Sequence, residues 1–118
     1  MDQEYRAPRY RIGGMSIVYD AGDGYWSAPV VNASESGLFV ETHHELPVGT
    51  HVTILPDVPN DEQLPFEIHA KVVRLQEYDP ENHFNRTPGL AFSFVEMPAV
   101  QRAQLRDYLA ERGVAQKP

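Results

Sequence analysis

The sequence predicts an all-β fold with one C-terminal α-helix, built as a small antiparallel six-stranded β-barrel with the helix packed on one opening. Three observations carry this. Six short segments between residues 15 and 97 hold apolar residues at period two or in brief apolar runs, each bounded by turn residues. After Pro98 the apolar period changes to that of a helix. Strands at short spacing followed by a single amphipathic helix close most simply into a barrel capped by that helix. No internal repeat, low-complexity tract or second domain breaks the pattern. Residues 1–118 are therefore expected to form one domain, with an arginine-bearing flexible arm over 1–11, the barrel over 12–97 and the helix over 98–113.

Taken in order, residues 1–10 read as extended and polar, with Pro8 disfavouring helix at Ala7. "MSIVYD" (15–20) is a first strand, and "AGDG" (21–24) is a turn whose glycines suit positive φ. "YWSAPVV" (25–31) is a second strand, which Pro29 places at an edge or a bulge. "NASESG" (32–37) breaks it before the strand "LFVET" (38–42). "ELPVGT" (45–50) has Pro and Gly at turn spacing, and "HVTIL" (51–55) alternates. Residues 56–65, with three prolines and three acids, read as an exposed loop. "FEIHAKVVRL" (66–75) sets Phe66, Ile68, Ala70 and Val72 against Glu67, His69 and Lys71. After a polar loop at 76–88, "GLAFSFVEM" (89–97) puts Leu90, Phe92 and Phe94 on one side. In the helix Val100, Leu105, Tyr108 and Leu109 share a broad face, Pro98 suits the first turn and Gly113 the C-cap. Trp26, Phe39, Phe92 and Phe94 are expected in the core.

Composition narrows the function. There is no cysteine, so disulfides, thiolate metal sites and a cysteine nucleophile are excluded. The apolar runs are far too short to span a membrane. The N-terminus "MDQEYRAPRYR" lacks the blocks of a signal peptide, which points to the cytoplasm. A net charge of −7 argues against DNA or RNA as a partner. Yet Arg6, Arg9 and Arg11 fall within six residues that contain no acid, so that hexapeptide carries +3 and the rest of the chain −10. A small anion can be captured there although a polyanion is repelled.

With these elements in place the chain resembles the PilZ domain family, bacterial receptors for cyclic di-GMP, over most of its length from Tyr5 to Gly113. The family's second motif is Asp or Asn, any residue, Ser, any two residues, Gly; Asn32, Ser34 and Gly37 occupy its fixed positions. "GLFVET", "LPVGTHVTIL", "FEIHAKVVRL" and "PGLAFSFVEM" leading into "RAQLRDYL" follow in the family's order. The first motif sets two arginines four residues apart. Here "YRAPR" puts Tyr5 and Arg9 at those positions, with Arg6 beside the first; the other register uses Arg11 and sets Ala7 opposite it.

What the resemblance implies is a binding module for cyclic di-GMP, with Arg6, Arg9, Arg11, Asn32, Ser34 and Gly37 as its ligand residues and no other cofactor. Guanidinium groups suit the two phosphates and two guanines, forming forked hydrogen bonds to phosphate or to the O6/N7 edge and stacking on the base. Asn32 and Ser34 would orient the ligand from the barrel rim, and Gly37 would allow a conformation or proximity that a Cβ forbids. Losing one charge-assisted pair costs on the order of 1.5–3 kcal/mol, roughly ten- to a hundredfold in affinity. Two functions follow. In one, the nucleotide orders the arm and an unidentified protein partner reads the change. In the other, the same fold is a protein–protein adaptor without the nucleotide. Intact Asn32, Ser34 and Gly37 favour the first, Tyr5 the second. With no output domain attached, the chain is expected to act on something else, and the resemblance implies control of motility, polarity, surface structures or biofilm. An enzyme has no supporting constellation: no nucleophile-elbow sequence is present, and the histidines, His43 and His44 included, lack metal-ligand spacing.

Overall fold

Turn chemistry and alternation set the elements of the computed structural model, which describes residues 7–57, 64, 66–81 and 86–116. The strands are β1 (Tyr10–Arg11), β2 (Ser16–Asp20), β3 (Tyr25–Ala33), β4 (Gly37–Glu41), β5 (His51–Asp57), β6 (Ile68–Gln76), β7 (Gly89–Phe94) and β8 (Val114–Ala115); helix α1 (Ala99–Arg112) lies between the last two. The turn glycines Gly22, Gly24 and Gly49 take the positive φ expected of them. Six strands pair antiparallel in the order β2-β5-β6-β7-β4-β3, and β3 pairs back onto β2 to close the barrel. Closure leaves no exposed edge among these six.

Each barrel strand sends apolar side chains inward, including Ile17, Val30, Val40, Ile54, Val72 and Leu90. Burial of side chains of this kind contributes about 1.5–3 kcal/mol each. Leu105, Tyr108 and Leu109 of α1 join the same core. Arg102 Nη1 donates to the Glu35 carbonyl at 3.4 Å, so the helix lies over the barrel end that carries the β3–β4 turn. Val100 is 72% exposed rather than packed. At about 100° per residue it lies well round the helix from both Leu105 and Leu109. Pro98 is the N-cap, and Gly113 caps the other end with its N–H on the Leu109 carbonyl at 2.7 Å. Gly113 is extended (φ −98°), so proximity explains the glycine. A Cβ there would sit 2.8 Å from both the Leu109 carbonyl and Tyr10 Cβ.

Several sequence expectations are corrected. Trp26 is 41% exposed, not core. Residues 25–29 of β3 pair only with β2, because pairing with β4 begins at Val30↔Val40, and Trp26 projects where only one neighbour covers it. Its ring instead stacks on His44 (centroids 3.7 Å apart). Phe39 is buried but stands outside the core cluster that takes Leu38 and Val40. In the stretch read as an exposed loop, Pro56 and Asp57 belong to β5 and Leu64 is 2% exposed; 58–63 and 65 lie outside the described residues. Pro29 lies beyond the last β4 pair, so its missing N–H costs no ladder bond there.

The two-residue strands β1 and β8 extend the sheet. β1 pairs with the end of β3 (Tyr10↔Ala33, Arg11↔Asn32), and β8 pairs with β1 on its other side. The chain from Tyr10 onward is therefore built into the sheet, not a loose arm.

Two bulges shape one outer face of the barrel. In β3 the register shifts between Val30 and Asn32, and in β6 between Val72 and Arg74. Strict alternation from Ala28 and Val30 would point Asn32 inward, and alternation from Ile68, Ala70 and Val72 would point Arg74 inward. One extra residue in each strand reverses this: Asn32 is part-exposed with Ala33 buried, and Arg74 is exposed with Leu75 packed on the core.

Candidate functional site

The two re-aimed residues fall on one row of the sheet. Asn32 of β3 pairs with Phe39 of β4, Phe39 with Ala91 of β7, and Ala91 with Arg74 of β6. Three interstrand steps of about 4.8 Å set the backbones of Asn32 and Arg74 about 14 Å apart. Between them runs a groove of about 400 Å³, lined by Arg9, Asn32, Ser36, Gly37, Phe39, Val73, Arg74, Ala91, Ser93 and Gln116 among others. Phe39 lies beneath Arg74, whose guanidinium carbon is 5.2 Å from the ring centroid. Ala91 leaves that contact room.

At the near wall Arg9 is held in place. Its Nε and Nη2 both donate to Asn32 Oδ1, at 2.9 and 2.6 Å, and Nη1 makes a longer 3.5 Å contact with Ser34 Oγ. The Arg9 carbonyl accepts from Gln116 N–H at 2.9 Å, so β8 and its extension clamp the backbone that carries this side chain. Ser34 is 1% exposed; its Oγ accepts from Ser36 N–H at 3.1 Å and lies 3.0 Å from Ser36 Oγ. This local turn, closed by Ser34 N–H on the Gly37 carbonyl at 2.8 Å, fixes the direction of Ser34. Gly37 sits against β7, where an added Cβ would overlap the Phe92 carbonyl. Close approach therefore requires this glycine, while its φ is not in the left-handed region. In "NASESG", then, Asn32 and Ala33 finish the strand behind a bulge, Ser34 to Ser36 make the turn, and Gly37 lets the returning strand press onto its neighbour.

The electrostatics of the groove are one-sided. Arg9 and Arg74 both line it, and among its described lining residues there is no carboxylate. Burial first, and the charge of Arg74 second, lower the pKa of Arg9; the guanidinium nonetheless stays cationic. Among the described residues Arg9 donates to the neutral oxygens of Asn32 and Ser34, which orient its charge without neutralising it. Such an arrangement has the chemistry to hold an anion.

Arg9, Asn32, Ser34 and Gly37 are thus brought together. Arg11 stands opposite Asn32 in the β1–β3 pairing but does not line this groove; it borders a second hollow with Ile12, Gly13, Val31 and Val114. Arg6 and Tyr5 lie outside the described residues. Sequence reasoning missed Arg74, because its strand alternation points it into the core, and Gln116, which no motif marks. Among the described residues no group of three His, Asp or Glu side chains is placed to hold a metal ion, and no helix is long and apolar enough to cross a membrane.

Comparison with known proteins agrees with the fold. The family model for the PilZ domain matches residues 3–111. Among solved structures, the PilZ domain of YcgR from Escherichia coli, solved with c-di-GMP, superposes with a TM-score of 0.67 at 18% identity, covering 93% of this chain and 92% of that one. The Bacillus subtilis inhibitor of motility MotI (DgrA) gives a TM-score of 0.69 at 17% identity over 93% of this chain. The chain spans about half of MotI, 51% of its length. No curated protein matches.

Proposed function

The chain belongs to the PilZ domain family, and from that premise we propose that it is a cyclic di-GMP-binding signalling module that passes the ligand's presence to a protein partner. The observation that carries this reading is Arg9, clamped on Asn32 Oδ1 at the mouth of a groove with no lining carboxylate among the described residues. The YcgR domain that shares the fold was solved with that nucleotide.

In this reading Arg9 swings little. Its guanidinium keeps one edge on Asn32 and turns the other to a phosphate, or to the O6/N7 edge of a guanine. Asn32 fixes the plane of the fork, Ser34 supports it from below, and Gly37 keeps β4 against β7 so that the groove floor stays shallow. Arg11, opposite Asn32 in the β1–β3 pairing, adds positive charge beside the groove. Binding is capture and orientation, with no bond made or broken. Ligand contact at Arg9 pulls on a strand hydrogen-bonded to β8, the segment that follows α1, and this links the groove to the helix surface. The inhibitor of motility that shares the fold suggests control of motility as the output.

Tyr5, in the place of an arginine, favours a second reading: an adaptor on the same fold that works through its partner without the nucleotide. Isothermal titration with cyclic di-GMP separates the two. The receptor reading expects micromolar or tighter binding that falls at least tenfold in Arg9→Ala; absence of heat up to high micromolar ligand leaves only the adaptor.

A further inference from the structure

We propose that Arg74, delivered from β6 by its bulge, is the second guanidinium of the ligand groove and takes the role that the sequence at Tyr5 leaves open. This rests on the reading of the groove as a nucleotide site and names a residue for it that the arm motif does not contain.

Three observations converge on Arg74. The first is register: Asn32, Phe39, Ala91 and Arg74 form one continuous row across four strands, so Arg74 faces the same groove as Arg9 from the opposite wall. The second is the pair of bulges. A bulge interrupts pairing and re-aims side chains, and here one bulge turns out Asn32, the anchor of Arg9, while the other turns out Arg74. Without them both would point at the apolar barrel interior. The third is charge. Two cations sit on one groove that no carboxylate lines among the described residues, and Arg74 Nη1 donates to the neutral Gln76 Oε1 at 2.8 Å. Like charges facing each other repel unless an anion enters between them.

The far side of Arg74 does not compete for the ligand. There a larger hollow of about 580 Å³ adds Arg86 but also Glu77 and Asp79, whose carboxylates oppose an anion. The smaller groove has the better chemistry. Its ligand is a dianion with two separated phosphates and a flat base: one phosphate on Arg9 and the other within reach of Arg74. The guanidinium of Arg74, already laid over Phe39, offers its outer face to a purine.

The bland alternative is that Arg74 covers Phe39 and bonds Gln76, and nothing more. Arg74→Gln and Arg74→Lys distinguish the two when titrated with cyclic di-GMP at two salt concentrations, alongside inorganic pyrophosphate as a base-free anion. Arg86→Gln serves as the control, and melting temperatures check folding. Expected are a ten- to hundredfold weaker cyclic di-GMP affinity in Arg74→Gln, partial recovery in Arg74→Lys, a shallower salt dependence in Arg74→Gln, and no change in Arg86→Gln. If wild type binds cyclic di-GMP and Arg74→Gln binds it equally well with the same salt dependence, the role of Arg74 is overturned and the nucleotide reading stands. If cyclic di-GMP gives no heat but pyrophosphate binds weakly and is lost in Arg74→Gln, the two-arginine anion site stands and its nucleotide is wrong. Binding of neither overturns both.

Discussion

Gly37 and Arg74 show how differently single residues register in a sequence. Gly37 is legible as the last fixed position of a six-residue motif, yet the physical reason for it is the Phe92 carbonyl on the neighbouring strand. Gly37→Ala is expected to cost on the order of 1–3 kcal/mol, because the clash is with backbone and cannot relax by rotamer change; chemical denaturation measures it. Asn32 and Ser34 were legible from the same motif. Arg74 was not, since period-two reading assigns it to the core side and only an extra residue in β6 turns it out. Trp26 failed for a related reason: alternation says nothing about where a partner strand ends. Tyr19 supports a prediction about pH. It is wholly buried, with its hydroxyl 3.0 Å from His44 Nδ1, and burial first and the charge of Asp23 in addition raise its pKa. Above about pH 10 the unfolded chain releases this proton while the folded chain holds it. Stability therefore falls as pH rises from the unfolded value through the folded one. Tyr19→Phe is expected to lose less stability over that alkaline range when both proteins are melted across it.

At the scale of elements, the six barrel strands and the helix were legible because each carries enough apolar positions to show a period. β1 and β8 have two residues apiece and show none, so the docking of the chain at Tyr10 could not be read in advance. That docking has a consequence. Ending the chain after Gly113 removes β8 and the Gln116 N–H bond to the Arg9 carbonyl while leaving the core residues of α1 in place. The truncated protein is expected to keep a cooperative melt, to exchange the amides of residues 10 and 11 faster, and to bind cyclic di-GMP several-fold more weakly because Arg9 loses its clamp. Unchanged exchange at those amides would show that β3 alone holds the strand. Gly113→Val probes the same junction from inside: its Cβ would press on Tyr10 Cβ and the Leu109 carbonyl, so β1 and the helix end cannot both keep their places.

Over the whole molecule, a chain of net charge −7 concentrates two arginines on one outer groove. On the proposed reading the long-range field repels polyanions while the local field draws a small one, so duplex DNA is expected to show no binding in a mobility shift at physiological salt. The composition made that division legible, but not its location: the +3 hexapeptide points to the N-terminal segment, whereas the groove takes one cation from there and one from a strand 65 positions later. The central claim is that this four-strand face, and no other part of the barrel, receives cyclic di-GMP. An amide NMR titration with cyclic di-GMP tests it most directly. Shifts are expected at Arg9 and Tyr10, at Asn32 to Gly37, at Val73 and Arg74, and at Ala91 to Ser93, with Trp26 and His44 unmoved. A spectrum that does not change, or one that moves around Trp26 and His44 instead, would contradict it.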